Sequence, residues 1–310
     1  MPVGLVIFNR PEHTARVLAE IARVRPRKLM VAADGPRPTH PKDAALCQAA
    51  RALVERNVDW DCEVRTQYSE KNLGAGGGVA TACDWFFSQE EEVIVLEDDC
   101  VPDPSFFRFC AELLERYRDD PRVFVIGGDN FQFGRNGTAY SYHFSRYPQT
   151  WGWAAWRRTW QQYDFQMKRW PELRRTGWLE RILENRHAVR YWRRIFDQTY
   201  QRRIDTFDYQ LVLAIWLAGG LCVVPEVNLV RNVGHGDEAS HTFNRDSPFS
   251  NVPAVPIPFP LRHPPDVERH ASADDWDQET VFAGPALVTR VRQKLRRLVA
   301  RWTAPTGEKR

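Results

Sequence analysis

The chain has 310 residues, of which 43% are hydrophobic and 27% charged, so its composition is that of a globular protein and not of a disordered one. Its 43 basic and 40 acidic residues leave a formal charge of +3, which excludes the strong positive field typical of nucleic-acid-binding proteins. No segment reaches the roughly 20 apolar residues of a membrane span, and the opening stretch VGLVIF lacks the charged start of a signal peptide, so we expect a cytoplasmic protein.

The first 130 residues alternate short apolar runs with helical patterns. The apolar runs are VGLVIF, KLMVAADG, CEVRTQ, EVIVLEDD and VFVIGGDN, and a segment with helical periodicity follows each of the first four. Apolar strands that alternate with helices are typical of a parallel sheet covered on both faces. We therefore expect an α/β fold with a Rossmann-like, doubly wound and mostly parallel sheet.

Polar residues follow the strands at the edge of the sheet where such folds bind ligands. The side chains at these strand ends are Asn9, Arg10, Asp34, Lys71, Asn72, Glu97, Asp98 and Asp99. Asp34 could accept a hydrogen bond from a pyrimidine base, and Lys71 with the turn NLGAGGG suits close approach of a phosphate at a helix N-terminus. Taken singly, each feature also fits ordinary turn chemistry. Together they outline a pocket for a nucleoside diphosphate.

Glu97, Asp98 and Asp99 end the fourth apolar run with three adjacent carboxylates. These groups repel one another and lose hydration if they are buried, so a fold has to compensate for them. A divalent cation such as Mn²⁺ or Mg²⁺ would do so, because both prefer oxygen ligands and bridge to phosphates. The alternative is a solvated turn whose acidic residues cap the helix that starts at PDPSFF.

The second half of the chain is less regular. An aromatic-rich stretch around YPQTWGWAAW contains Trp151 and Trp153, which either stack on sugars or fill a core. Residues 172–204 read as basic helical segments, and DYQLVLAIWLAGG and LCVVPEV predict a helix and a strand. Residues 246–285 are rich in Pro, Asp and Ser, which predicts an extended, poorly structured connector.

Residues 286–310 predict a basic amphipathic helix and tail. Leu, Val and Trp residues share one helical face, and arginines surround this face. Such a helix either lies on an anionic membrane surface or packs its apolar stripe on the domain and leaves the arginines in solvent.

The segment VIVLEDDCVPDPSFF resembles the metal-binding motif of GT-A glycosyltransferases, and is most similar to that of the inverting N-acetylglucosaminyltransferase I-like family. Further along, YPQTWGWAAW, FDYQ and CVVPEVNLVRNVGHGDEASH resemble three more segments of that family: its proline-to-tryptophan segment, its catalytic Trp-Asp element, and its Pro-Glu strand with the following loop. The matches keep the family's order between residues 3 and 241, and this order is more specific than any one motif.

The resemblance implies a role for each matching residue at the donor side. Asp99 would bind the metal, Asp98 would contact the ribose, and Glu97 would bond to the donor sugar. Asp34 would hold the base. The cofactor implied is Mn²⁺ or Mg²⁺.

On the acceptor side, the resemblance implies that Asp208 is the general base that deprotonates the acceptor hydroxyl, and Asp205 is a nearby competitor for this role. Phe207 stands where the family has Trp, and residues 172–204 have no counterpart in it. The remaining acceptor or loop candidates are Trp151, Trp153, Glu226, His235, Ser240 and His241.

We therefore expect a metal-dependent inverting glycosyltransferase that moves a sugar from a nucleotide-diphosphate donor, a UDP-sugar, to a glycan or lipid-linked hydroxyl. Its domain would span residues 1–245, with a nucleotide-sugar-binding half at 1–130 and an acceptor half at 131–245, and a helical insertion on the acceptor side. Two alternatives stay open, a sugar nucleotidyltransferase and a non-catalytic, membrane-associated glycan-binding protein. The first would ordinarily carry a glycine-rich loop after strand one, where this chain has FNRPEH.

Overall fold

An eight-stranded sheet organises the protein, whose computed structural model describes residues 1–135, 138–234, 249 and 252–282. The strands in these residues are β1 (Pro2–Ile7), β2 (Lys28–Ala33), β3 (Glu63–Tyr68), β4 (Glu92–Glu97), β5 (Cys100–Pro102), β6 (Val123–Gly127), β7 (Tyr142–Ser145), β8 (Trp153–Trp156), β9 (Leu221–Pro225) and β10 (Val230–Asn232). The helices are α1 (Pro11–Val24), α2 (Asp43–Asn57), α3 (Ala75–Gln89), α4 (Pro104–Arg116), α5 (Arg157–Trp160), α6 (Trp170–Arg175), α7 (Trp178–Ile182), α8 (Arg186–Tyr200), α9 (Asp208–Leu217) and α10 (Ala271–Thr280).

Along the large sheet the strands follow the order β3-β2-β1-β4-β8-β6-β9-β7. Six of them run in the same direction, whereas β8 and β7 are antiparallel to their neighbours. β5 and β10 form a separate two-stranded sheet. The mostly parallel, Rossmann-like sheet predicted from the sequence is confirmed.

Helices cover both faces of the sheet, because successive side chains of a strand point to opposite sides. On β2, Leu29 and Val31 face a core that includes residues of α1, α2 and α4. Met30 and Ala32 face a second core that includes residues of α3, α8 and α9. This double covering confirms the doubly wound arrangement and explains why the central strands are apolar throughout.

β8 lies in the middle of the sheet, between β4 and β6. Trp153 and Trp156 of this strand are 1% and 3% exposed, and the Trp153 ring lies 6.2 Å from that of Phe87 and 6.3 Å from that of Phe207. Trp153 is therefore a core residue, and this burial disagrees with the acceptor contact predicted for it. A four-residue strand that is buried on both faces carries no alternation of polar and apolar residues to reveal it.

The basic segment 172–204 is helical, as predicted, and contributes to α6, α7 and α8. α8 begins after Asn185, whose side chain accepts a hydrogen bond from the His187 N–H (2.8 Å). Its inner face buries Trp192 and Phe196 against the sheet side of the domain, while most of its arginines are exposed. The insertion is thus an amphipathic layer with a basic outer face.

Residues 252–282 pack back onto the domain. Residues 252–270 contain no helix, in line with the extended connector predicted for 246–285, but Ile257 and Leu261 are buried in the core. The segment ends in α10, which differs from the prediction of a poorly structured connector.

α10 is held by polar contacts with distant parts of the chain. Asp274 accepts a hydrogen bond from the Ser145 hydroxyl (2.6 Å), and Asp277 accepts one from Gln132 Nε2 (2.7 Å). These partners are 129 and 145 residues away in the sequence, so no local pattern predicts them. The helix therefore depends on tertiary contacts more than on its own apolar periodicity.

Two of the predicted features fall outside the described residues, namely the basic helix at 286–310 and the domain boundary at 245. The predicted halves 1–130 and 131–245 share one sheet, because β7, β8 and β9 pair into the same sheet as β1 to β4. In the part of the chain that is described, no helix combines the length and the hydropathy needed to cross a bilayer.

The buried carboxyl of Asp274 predicts a pH-dependent stability. Burial raises its pKa to about 6, although the Ser145 hydroxyl and Arg146 oppose the rise. The folded protein therefore keeps this proton up to about pH 6, whereas the unfolded chain loses it near pH 4. The free energy of unfolding should consequently contain a contribution that falls as the pH rises through this interval.

We expect Asp274→Asn to lack this contribution. Measured by urea unfolding, the difference in stability between the variant and the wild type should shift in favour of the variant by up to about 3 kcal/mol between pH 4 and pH 7. Asp275→Asn, at an exposed neighbouring position, is the matched control and should show no such shift. A pH-independent difference for Asp274→Asn would contradict the assignment.

Candidate active site

The acidic triplet follows β4 at the carboxyl edge of the sheet. Glu97 is the last residue of β4, and Asp98 and Asp99 form the turn into β5. β5 pairs with β10, and the Val233 N–H beyond β10 donates to the Asp99 carbonyl oxygen (2.8 Å). The second sheet therefore fixes the backbone of this turn from one side.

Arg10 holds the turn from the other side. Its guanidinium donates to Asp98 Oδ1 and to Asp99 Oδ2, both at 2.8 Å, and the Phe8 N–H donates to Asp98 Oδ2 at 3.0 Å. β1 and β4 are parallel neighbours, which brings the loop after β1 next to the loop after β4. Both oxygens of Asp98, which is 2% exposed, are thus engaged within the protein.

Glu97 is the carboxyl of the triplet that lacks a partner. Among the described residues, its side chain makes no hydrogen bond or ion pair. Burial raises the pKa of Glu97 well above its usual range, and the negative charges of Asp99 and Asp208 raise it further. A partly buried carboxyl among other carboxylates is stabilised either by a proton or by a nearby cation.

Asp208 is the first residue of α9 and belongs to the same acidic centre. Its Oδ1 accepts a hydrogen bond from the Thr150 hydroxyl and its Oδ2 accepts one from the Thr206 hydroxyl, both at 3.0 Å. Its charge contributes to the raised pKa of Glu97, so the two carboxyls lie close to each other. Two hydroxyl donors therefore orient the Asp208 carboxylate.

Asp129, which follows β6, was not among the predicted site residues. It is 1% exposed, and one of its carboxyl oxygens accepts a hydrogen bond from the Trp151 N–H (3.1 Å). Burial raises the pKa of Asp129 well above its usual range, and the charge of Asp208 adds to the rise. The sequence carried a signal for it, because Asp129 follows the apolar residues of VFVIGGDN just as Asp34 follows those of KLMVAADG.

The loop at residues 149–152 joins Asp129 to Asp208. The Thr150 hydroxyl donates to Asp208, and the backbone N–H of the next residue, Trp151, donates to Asp129. Because of these two bonds, the backbone of Trp151 lies between the two carboxyls, and its side chain is partly buried. This position is compatible with the acceptor contact predicted for it.

Asp34 follows β2 and is bonded within the protein. Its carboxylate accepts hydrogen bonds from the N–H groups of Gly35 (2.8 Å) and Leu73 (2.9 Å) and from Asn72 Nδ2 (2.9 Å). The structure thus brings together Asp34 and Asn72, and their bond fixes the loop after β3 against the loop after β2. Lys71 lies in the same loop with an exposed side chain.

The glycine-rich turn before α3 is in close contact with Asp205, which lies far away in the sequence. Asp205 accepts hydrogen bonds from the N–H groups of Ala75 (2.8 Å) and Gly76 (3.0 Å), and so caps the helix. Gly74 has φ +80°, and a Cβ there would lie 2.5 Å from Asp205 Oδ2. The N-terminus of α3 therefore bonds to a carboxylate of this chain, where the sequence predicted a phosphate. Asp205, the predicted competitor for the role of base, serves as a helix cap.

A cavity of about 190 Å³ lies between α3 and the ends of β1, β2 and β3. Its walls are largely apolar and include Val6, Ala32, Tyr68 and Leu73, with Asp34 on its polar side. Pockets of this kind, apolar with a few fixed polar groups, are typical of sites for small ligands. Its size suits a single planar ring such as a nucleobase.

Two other predicted residues, Asn9 and Glu226, bond to residues outside the acidic triplet. Asn9 Nδ2 donates to Asp43 Oδ1 (2.8 Å), and Asp43 also pairs with Arg37, whose hydrogen bond lowers the pKa of Asp43 to about 2. Glu226 directly follows β9, and its N–H donates to the Ser141 carbonyl oxygen (2.9 Å). The loop candidates outside the described residues are His235, Ser240 and His241.

The described residues include no group of three Asp, Glu, His or Cys side chains placed to hold a metal ion. A Mg²⁺-like ion that also binds a diphosphate needs only one or two protein carboxylates, because phosphate oxygens and water complete its shell. Asp99 fits this requirement. Its Oδ2 pairs with Arg10, whereas its Oδ1 makes a long contact with Asn232 Nδ2 and accepts a weak hydrogen bond from the Cys100 thiol, each at 3.5 Å.

Comparisons with known proteins give weak similarities. No protein-family model matches the sequence, and no curated protein is significantly similar to it. Apo mouse xyloside xylosyltransferase 1 has a TM-score of 0.33 at 12% identity, covering 69% of this chain and 81% of that chain. A mannose-1-phosphate geranyltransferase from Thermus thermophilus gives 0.33 at 10% identity and 74% of both chains. HddC from Yersinia pseudotuberculosis gives 0.31 at 11% identity, with 53% and 80% covered. Scores this low define neither a family nor an activity.

The N-terminus of α3 packs closely against the backbone of Thr206. We therefore expect alanine at Gly76 and alanine at Gly77 to change the stability of the protein differently. A Cβ on Gly76 would lie 2.5 Å from the carbonyl group of Thr206, whereas one on Gly77 would have no neighbour nearer than the Leu73 Cβ at 3.6 Å. We expect Gly76→Ala to lower the free energy of unfolding by roughly 1–3 kcal/mol. Gly77→Ala is the control and should leave it unchanged or raise it by up to about 1 kcal/mol. Equal effects in urea unfolding would contradict this packing.

Proposed function

We propose that the protein is a metal-dependent inverting glycosyltransferase that moves a sugar from a nucleoside diphosphate, taken to be UDP, to a hydroxyl acceptor. The observation that carries the proposal is the position of Asp208, which two threonine hydroxyls orient beside the acidic turn that ends β4. The cavity of nucleobase size at the ends of β1 to β3 supports it, because it lies along the same edge of the same sheet.

The donor would lie across this edge, with its base in the cavity and its diphosphate over the acidic turn. Asp34 would shape the cavity through the loops that it bonds, rather than through a free carboxylate. Asp98 would position Arg10, since both of its oxygens are engaged. Asp99 would hold the metal through Oδ1.

The charges of the turn support a divalent cation. With all three carboxyls ionised, Glu97, Asp98 and Asp99 carry three negative charges against the single positive charge of Arg10. One Mn²⁺ or Mg²⁺ would balance the remainder. Such an ion, when bound, offsets the charge that grows on a leaving diphosphate.

Asp208 would act as the general base on the acceptor side. It would take the proton of the acceptor hydroxyl while that oxygen forms a bond to the anomeric carbon and the bond from this carbon to the diphosphate oxygen breaks. A single displacement of this kind inverts the anomeric centre and needs no enzyme nucleophile. Asp129 would position the base indirectly, because it holds the loop that carries Thr150.

Replacing the two candidate bases in turn tests this assignment. Asp208→Asn keeps the shape of the side chain but removes its basicity, so we expect kcat for UDP release to fall by about 10²- to 10⁴-fold with little change in KM. Asp205→Asn is the comparison: it keeps only one of the two hydrogen bonds accepted at the N-terminus of α3, so we expect a lower free energy of unfolding but a kcat that is nearly unchanged. The opposite result, with loss only in Asp205→Asn, would move the base to Asp205.

Asp99→Asn tests the metal and donor site without requiring the acceptor. In the wild type, UDP with Mn²⁺ should raise the melting temperature, corresponding to about 2.7 kcal/mol at a ligand concentration of about 100 Kd. We expect Asp99→Asn to lose this stabilisation and Asp275→Asn to keep it. A metal-dependent shift with other nucleotides only would overturn the choice of UDP. If no nucleotide shifts the wild type, a non-catalytic binding protein becomes the better description.

The contacts of the loop after β1 give little support to the alternative that the protein is a sugar nucleotidyltransferase. Such an enzyme grips a nucleoside triphosphate with a flexible, glycine-rich loop, whereas here Arg10 is locked between Asp98 and Asp99 and Asn9 is bonded to Asp43. Release of pyrophosphate from a nucleoside triphosphate and a sugar 1-phosphate would be the result that favours it.

A further inference from the structure

The helical insertion concentrates positive charge. Between residues 168 and 203 the chain has eleven basic and four acidic side chains, a net charge of +7, although the whole protein carries only +3. The rest of the chain is therefore negative, with a formal charge of −4. Because residues 168–203 are strongly basic while the remainder of the chain is acidic overall, we expect this helical insertion to bind an anionic partner.

The outer face of α8 forms a shallow groove of about 410 Å³. Arg190, Arg194 and Arg203 line it, together with the carboxamides of Gln198 and Gln201. The arginine side chains are exposed, and no residue with a large apolar side chain lines the groove. Every one of these five side chains can donate hydrogen bonds to an anion.

The carboxylates nearest to the groove are already engaged. Asp197 accepts hydrogen bonds from Trp170 Nε1 (3.0 Å) and Arg174 Nε (2.7 Å). Glu180 pairs with Arg193, which also lines the groove. Within the described part of the chain, no carboxylate pairs with Arg190, Arg194 or Arg203. Asp197 itself lines the groove, with its Oδ1 bonded to Trp170 and Arg174. The three guanidinium groups therefore outnumber the single carboxylate of the groove and are not paired with it.

The groove lies near the candidate base. Arg194 lies over the Tyr191 ring at 5.7 Å, and the Arg203 N–H donates to the Gln198 carbonyl oxygen at 2.9 Å. The ring of Trp192 in α8 lies 6.0 Å from that of Tyr209, the residue that follows Asp208 at the start of α9. The groove and Asp208 are thus on adjacent parts of the acceptor side.

We propose that this arginine groove binds a phosphate group and that, on the basis of the proposed function, this phosphate belongs to the acceptor. Planar guanidinium groups match the oxygen geometry of phosphate and bind it in a bidentate manner. We assign the phosphate to a small acceptor and not to a bilayer because α8, which carries the groove, packs against Tyr209 beside Asp208. The acceptor would accordingly be a phosphorylated saccharide whose phosphate lies in the groove while its hydroxyl reaches Asp208.

Titration of inorganic phosphate into the full-length protein by calorimetry at low ionic strength tests the groove without any donor. The groove variant Arg194→Gln/Arg203→Gln removes two of the guanidinium groups that lack a carboxylate partner. The matched control Arg175→Gln/Arg186→Gln removes two exposed arginines of the same layer that do not line the groove. We expect the control to bind like the wild type and the groove variant to bind at least tenfold more weakly. Equal weakening in both variants, or in neither, would overturn the proposal.

Two further arms separate the possible sources of the phosphate. If phosphatidylglycerol vesicles bind the wild type through the groove arginines and inorganic phosphate does not bind, the groove contacts a membrane and the proposal fails. If phosphate binds as expected but a UDP-sugar is transferred equally well to phosphorylated and unphosphorylated saccharides, the groove stands and the acceptor assignment fails. Failure of the proposed function would appear separately, as the absence in the wild type of any stabilisation by UDP with Mn²⁺.

Discussion

The ion pair between Arg10 and the acidic turn is the contact on which the site depends. It joins the ends of β1 and β4, which are neighbours in the sheet, and it compensates carboxylates that the fold holds out of water. Breaking a buried pair by removing one partner costs roughly 3–5 kcal/mol, because the other charge is left buried. The three carboxylates of the turn differ in what they contact. Asp98 is fully engaged, Glu97 is unpartnered in the described structure, and Asp99 Oδ1 contacts only Asn232 Nδ2 and Cys100 Sγ, each at 3.5 Å.

Around this pair, the functional parts follow one another along the carboxyl edge of the sheet. The cavity of nucleobase size lies at β1 to β3, the acidic turn lies at β4, and Asp208 stands at the start of α9. The arginine groove on α8 comes next to Asp208 on the far side. In the proposed reaction, this arrangement places the nucleobase, the diphosphate, the reacting carbon and the acceptor in a row. The protein side chains along this row change from acidic at the metal to basic at the acceptor.

The sequence predicted the sheet and part of the site because both follow local rules. Apolar runs mark the parallel strands, and the polar residues after them led to Asp34 and Glu97. Asp129 obeys the same rule, because it follows the fifth apolar run, VFVIGGDN. What could not be read locally is which groups bond to each other: Arg10 meets a carboxylate 89 residues away, and Asp205 caps a helix 130 residues before it. The glycines before α3 looked suited to a phosphate, and only the tertiary structure shows that the chain itself fills that space.

The most direct test of the account is a crystal structure of the protein with UDP and Mn²⁺, with the metal located by its anomalous scattering. We expect one manganese peak within about 2.5 Å of a carboxylate oxygen of Asp99, in contact with the diphosphate, while Arg10 stays paired with Asp98. A fully occupied UDP molecule elsewhere on the protein, with the acidic turn bonded to Arg10 alone and no metal beside it, would contradict the account.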